Sequence, residues 1–198
     1  MLEVKIIQSA EKLEETERIW IKHALWGTEY LPETYGYLGY VSGEGFYVKM
    51  VCRESDPIRK FTENRSPVCL DSAMEVFLQL PADTGFYVNF EVNANGAVLA
   101  EYGAERTGRT MFSEEMIARL CCTSRIIRDT WEVCFKIPQD LLEDIYGSVN
   151  LQKDSVLFIN LFKVCEGAKP CHYGAYAYIP VEPPCFHLPE YYEKVILV

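Results

Sequence analysis

Two runs of strict alternation, 72–80 (SAMEVFLQL) and 86–92 (FYVNFEV), flank the short turn Pro81-Ala82-Asp83-Thr84-Gly85. Apolar residues take the even positions of both: Met74, Val76, Leu78 and Leu80, then Phe86, Val88, Phe90 and Val92. A period of two sends successive side chains to opposite faces, so these runs form a β-hairpin with one face committed to a core. A sheet with one apolar face needs a second layer to cover it. The odd positions carry a different cargo: Glu75, Phe77, Gln79, Tyr87, Asn89, Glu91 and, just beyond, Asn93. Carboxylates and amides mixed with aromatic rings are not the usual dress of a solvated strand.

Short alternating runs continue along the chain. YGYLGYV (35–41) and FYVKMVCRE (46–54) flank Ser-Gly-Glu-Gly, AVLAEYG (97–103) follows an Asn-Ala-Asn-Gly turn, and WEVCFKIP, SVLFINLFKV, HYGAYAYIP and KVILV come later. Helix signals are few: Ser113 as an N-cap before SEEMIARL, Pro138 opening and Gly147 closing PQDLLEDIYG, and a turn or two in 9–20. Many strands with few helices predict an all-β fold, an antiparallel β-sandwich of jelly-roll type. Length 198, no repeats and no linker give one domain over 1–198.

The net charge of −10, with Lys and Arg scattered, argues against nucleic acid or an anionic membrane surface as a partner. No apolar run approaches the ~20 residues of a bilayer span, and MLEVKIIQSAEKLEE lacks the order of a signal peptide. As it stands this predicts a cytoplasmic protein, or an extracellular one if a leader has been removed. The eight cysteines include Cys52 and Cys134 inside apolar strands, which predicts mostly free thiols.

The same sorting applied to 46–54 buries Phe46, Val48, Met50 and Cys52 and turns Tyr47, Lys49 and Arg53 outward. In 172–180 it buries Tyr173, Ala175, Ala177 and Ile179 and turns His172, Tyr176 and Tyr178 outward. If these strands share a sheet with 72–92, its outer face has the composition of a sugar-binding surface. Aromatic faces receive the C–H patches of a pyranose, and planar polar groups pair with its hydroxyls. A wet face with aromatic cross-strand pairs is the plainer alternative. A turn that pairs Leu80 with Phe86 sets Glu75 directly opposite Glu91, an unfavourable meeting of like charges. A register slip, Lys49, Arg53 or a metal ion between them, or a protonated carboxyl would each relieve it.

In ordered segments over most of 35–198 the chain resembles the family 9-like carbohydrate-binding modules, a β-sandwich family related to the DOMON superfamily. The matching segments are ESDPIRKF, VCLDSAMEVFLQLP, YVNFEVNANG, WEVCFKIP, INLFKV, HYGAYAYIP and FHLPEYYEKVILV. The resemblance implies a non-catalytic sugar site with Glu75 on the D-S-x-E strand and the next strand's polar pair at Glu91 and Asn93, the first of these basic in the family. It implies a stacking ring at or near Tyr176 and a second near Cys69, where this chain has none; Trp26, Tyr37 or Tyr47 could replace it. With Arg53, Tyr87 and His172 these make the candidate ligand-binding set. The partner expected is a mono- or oligosaccharide. No cofactor is required, though relatives carry structural calcium, for which Glu54, Asp56 and Asp71 are the candidates.

Four other readings compete. A protein-interaction or structural domain would keep the fold without the sugar, and a glycoside hydrolase would use Glu75 and Glu91 as its carboxylate pair. Zinc could take Cys165, Cys171, His172, Cys185 and His187, although their spacing is not a compact paired-cysteine form. Haem held by Met and His is disfavoured because Met50 and Met74 have core parity.

Overall fold

A computed structural model describes all residues, Met1–Val198. Fourteen strands follow in order: β1 (Leu2–Ile6), β2 (Ile19–Ile21), β3 (His23–Ala24), β4 (Glu33–Val41), β5 (Gly45–Arg53), β6 (Ala73–Gln79), β7 (Tyr87–Asn93), β8 (Val98–Gly103), β9 (Thr110–Met111), β10 (Thr123–Ile127), β11 (Thr130–Pro138), β12 (Val156–Cys165), β13 (His172–Ala175) and β14 (Glu193–Leu197). The two helices are α1 (Glu114–Arg119), whose N-cap Ser113 accepts from the Met116 amide, and α2 (Gln139–Tyr146), closed by Gly147 at φ 81°. None is long and apolar enough to cross a membrane.

The strands run in the order β10-β11-β5-β4-β1-β14-β12-β6-β7-β8-β9, with β2, β3 and β13 added at the sides. An entirely antiparallel arrangement is not what forms. β1 lies parallel to both β4 and β14, so one short strand joins the two halves into a continuous mixed sheet that curls over on itself. Pairing the first strand with the last leaves no hairpin to set its direction, and direction is what the alternation in the sequence does not encode.

The curl closes around one apolar cluster. Phe46, Val48, Met50 and Cys52 of β5 meet Met74, Val76 and Leu78 of β6 and Val88, Phe90 and Val92 of β7 there, as their parity requires. Trp131 heads β11 in the same core, fully buried. The hairpin register is the one that the five-residue turn dictates, with Glu75 across from Glu91 and Val76 across from Phe90.

A second apolar cluster lies on the opposite side of β6, β7 and β12. Phe77, Tyr87, Phe162 and Val164 are covered there by Leu25, Ile179, Phe186 and Tyr192. The segment between β13 and β14 is therefore a strap across the face that alternation marks as outward. Phe186 stacks on Phe162 with ring centres 4.0 Å apart, and Tyr192 meets Phe77 edge-on at 6.1 Å.

One cation lies wholly inside the molecule. Lys163, on the core side of β12, is 0% exposed, and its Nζ is 2.8 Å from His172 Nε2, 3.1 Å from the Val164 carbonyl and 3.4 Å from Glu54 Oε2. Glu54 in turn accepts from Ser72 Oγ at 2.8 Å and from Trp131 Nε1 at 3.1 Å. Burial, and then the Lys163 charge, push His172 down to about 4, so a neutral imidazole accepts from the ammonium. This cluster ties the end of β5, the start of β6, and β11, β12 and β13 together. Removing one partner of a buried pair strands the other charge, so Lys163→Met should cost ~3–5 kcal/mol. Adding Glu54→Gln should recover a substantial part of it. Urea unfolding of the two variants checks this, and a neutral single substitution would show that the pair carries no such weight.

Candidate functional site

The strap does not cover the whole face. Beside it remains a cavity of ≈ 330 Å³ whose lining includes Glu75, Glu91, Trp26, Tyr173 and Phe186. Its volume is at the lower end of the range that small-molecule sites occupy. Three cross-strand partners of one row lie on its floor, Glu75, Glu91 and Leu99 from β6, β7 and β8, and the row continues under the strap as Phe162 of β12 and Ala175 of β13. The row thus brings two carboxyl groups side by side on the floor.

Two rings of the wall are fixed by local hydrogen bonds. Trp26 stands in a tight turn closed by the Thr28 amide on the Leu25 carbonyl, and its indole N–H donates to the Val181 carbonyl at 2.6 Å. Thr28 Oγ1 accepts from the Tyr173 amide at 2.9 Å, and the Leu25 amide donates to the Tyr173 carbonyl, which clamps the turn to β13. Trp26 lies 5.3 Å from Tyr173, edge-on, and 5.3 Å from Phe186, so three rings form one apolar corner.

The two floor carboxyls differ in their support. Glu91 Oε1 accepts from Asn89 Nδ2 at 3.0 Å, and Arg109 holds that amide in place by donating to Asn89 Oδ1 at 2.8 Å. The Arg109 guanidinium lies 4.0 Å over the Tyr87 ring. Glu75 is 3% exposed and makes no hydrogen bond within the protein. Burial pushes Glu91 up to about 7, against the pull of Asn89 and with added repulsion from Glu101. Burial, with repulsion from Glu91 and Glu166, holds Glu75 well above the ordinary carboxylate range. Of the ways to relieve this like-charge pairing, protonation is the one the geometry supports. Lys49 is engaged with Glu14 and Glu132, and Arg53 with Asp129, on the far layer.

The other expected ligand residues disperse. β5 belongs to the opposite layer, so Arg53 faces the other side of the molecule, as do Tyr37 and Tyr47, which offer no ring to this cavity. The inward and outward sides of β13 are the reverse of those expected: His172 points into the core against Lys163, and Tyr173 takes the cavity side. Tyr176 lies past the end of β13, in a shallow basin with Arg18, Trp20 and His23. Tyr87 has the expected side but is sealed under the strap, its hydroxyl 3.1 Å from His187 Nδ1. Asn93 spends its whole amide on the loops: Nδ2 donates to the Phe61 carbonyl and Asp71, and Oδ1 accepts from the Asn95 and Ala97 amides. Trp26, one of the three rings offered as a replacement, lines the cavity, as does Cys69. Phe186, Glu101, Glu166 and Arg106 also line it without having been singled out in the sequence.

The family model described as carbohydrate-binding family 9 matches residues 8–197. The chain belongs to carbohydrate-binding family 9. Among solved structures, this family 9 chain is similar to a candidate carbohydrate-binding protein from Bacteroides uniformis, at 21% identity and a TM-score of 0.86, with 100% of this chain and 98% of that one covered. It is also similar to a family 9 module from Caldicellulosiruptor kristjanssonii solved with cellotriose, at 11% identity, TM-score 0.67, and coverage of 99% and 92%. The glucose complex of a Caldicellulosiruptor kristjanssonii family 9 module gives 11% identity, TM-score 0.66, and coverage of 99% and 95%. These likenesses establish the shared fold. A comparison with curated protein sequences finds no match.

The metal candidates do not converge in this family 9 chain. Glu54 is taken up by Ser72, Trp131 and Lys163, Asp56 is exposed, and Asp71 Oδ2 accepts from the Phe61 amide and Asn93. No group of three or more His, Cys, Asp or Glu is arranged to hold a metal ion, the proposed zinc donors included, and all eight cysteines are free thiols.

A carboxyl that titrates higher folded than unfolded stabilises the fold at low pH, and that stabilisation is lost as pH rises through its folded value. For Glu91 the window runs from the ordinary value near 4.5 to about 7, and Glu75 is shifted in the same direction. Glu75→Gln should therefore leave the melting temperature unchanged at pH 4.5 and raise it at pH 8, by roughly 2–4 °C per kcal/mol of relieved strain. Calorimetry at the two pH values checks this; a lower melting temperature at pH 8 would mean that Glu75 is held as a stable carboxylate.

Proposed function

We propose that this protein binds carbohydrate, without cleaving it, in the cavity over Glu75 and Glu91. The observation that carries the reading is the meeting of a fixed aromatic corner, Trp26, Tyr173 and Phe186, with two carboxyl groups on one floor. Pyranose C–H faces lie against such rings, and carboxyls, protonated or not, pair with adjacent hydroxyls. Family membership and the cellotriose and glucose bound to structural relatives support the same class of ligand. The site is a pocket with walls rather than an open sheet face, which suits one or two sugar units at a chain end more than the middle of a long chain.

Binding rather than hydrolysis fits the placement of the carboxyls. A glycosidase sets an acid and a nucleophile or base on either side of the scissile bond, with opposite protonation preferences. Glu75 and Glu91 are direct cross-strand neighbours on one floor, and both are pushed the same way. One such pocket supports dissociation constants on the order of millimolar to tens of micromolar, roughly 4–7 kcal/mol.

Titration with glucose and cellotriose, followed by calorimetry, tests the proposal. Tyr173→Ala should weaken binding about tenfold through loss of a stacking face, while Tyr176→Ala should change it less than about twofold. Both proteins should be folded by circular dichroism. If Tyr176→Ala gives the larger loss, the site lies in the Trp20 basin and this assignment is wrong.

A further inference from the structure

The cavity is more acidic than a neutral sugar requires. Four carboxyl groups line it, Glu75, Glu91, Glu101 and Glu166; against them stand Arg106 at the rim and Arg109 behind Asn89, whose guanidinium lies 3.8 Å from Glu101 and leaves Glu75 and Glu166 without a cation. Arg106 is exposed and makes no ion pair, and His187, which burial and then Arg109 push down to about 4, adds no charge. Glu75 is the decisive group. It is 3% exposed, it lines the cavity, and nothing in the protein hydrogen-bonds to it.

A buried carboxyl without a partner is costly, and the cost falls when a ligand brings the partner. A sugar hydroxyl can supply one hydrogen bond. An ammonium supplies three donors and a positive charge, and it is also attracted to the faces of Trp and Tyr. The charges facing Glu75 leave room for it: Glu91 from β7 and Glu166 beyond β12 are acidic, while Cys69 and Tyr192 are neutral in the working range. Lys163 is the cation nearest in sequence to this row, but it points to the core side of β12, where Glu54 and His172 hold it.

Resting on the carbohydrate reading, we infer that the pocket prefers a sugar bearing a protonated amine, a 2-amino-2-deoxyhexose, with its ammonium between Glu75 and Glu91 and its ring against Trp26 and Tyr173. The ammonium restores the charge balance that a neutral sugar leaves open. Where the carboxyl pair holds a proton before binding, the carboxylic O–H breaks, its proton passes to solvent, and the carboxylate left behind pairs with the ammonium. Binding is thus coupled to proton release and strengthens as pH rises from 5 to 7.

Glucosamine and glucose differ only in the amine and hydroxyl at carbon 2, so they isolate the effect. Titrated by calorimetry at pH 7, glucosamine should bind about tenfold tighter than glucose. The advantage should shrink toward pH 5, and runs in two buffers of different ionisation heat should show protons released with glucosamine alone. Glu75→Gln should bring the affinity ratio toward one. Equal affinities at pH 7 with glucose still bound would overturn the amine preference and leave the sugar site standing. Binding of neither sugar to the folded protein would overturn both.

Discussion

The ladder of β6, β7 and β12 is buried on both faces, and the rest of the molecule is arranged around that fact. One face meets the core shared with β5 and β11; the other meets the strap that runs from β13 to β14. Every polar side chain on the strap side therefore needs a partner away from water. Asn160 finds one in both directions on Ala177, Asn93 finds four in the loops, and Asn89 bridges Arg109 and Glu91. Glu75 does not, and the cavity opens where that pairing is incomplete. The candidate site is thus marked by a carboxyl, Glu75, that reaches the cavity without a hydrogen-bond partner in the protein.

Alternation made the hairpin, its core side and even its register legible from the sequence, because a five-residue turn and a period of two leave little freedom. Glu75 facing Glu91 could be foreseen for that reason. The strap could not. Its residues, 176–192, carry several prolines and no regular period, and nothing local says which face they cross. The assignment of Arg53 failed on a related point: parity says which side of a strand is apolar, but not which layer the strand joins. In HYGAYAY, tyrosines stand at both parities, so the pattern has no contrast with which to choose, and Tyr173 and His172 exchange the places expected of them. Trp26 was legible only as one ring among three, since its position depends on a contact with Val181, 155 residues away in the chain.

Two locally unfavourable choices meet at the cavity. Trp26 sits at φ 51°, a left-handed conformation that costs an ordinary residue roughly 1–2 kcal/mol, in a turn where Gly27 beside it has the freedom to take such angles cheaply. Glu75 faces a second glutamate where a glutamine of the same shape would avoid the repulsion. Elsewhere the same residue types are satisfied, as with Glu54 among Ser72, Trp131 and Lys163, or Trp131 within the core. Arg65, Cys121, Arg128 and Asp154 also take positive φ, but only at the cavity does such a residue stand beside an unpaired buried carboxyl. The apolar clusters on the two faces of β6 and β7 hold both residues in position, so the cavity and its unpaired carboxyl are built into the fold itself.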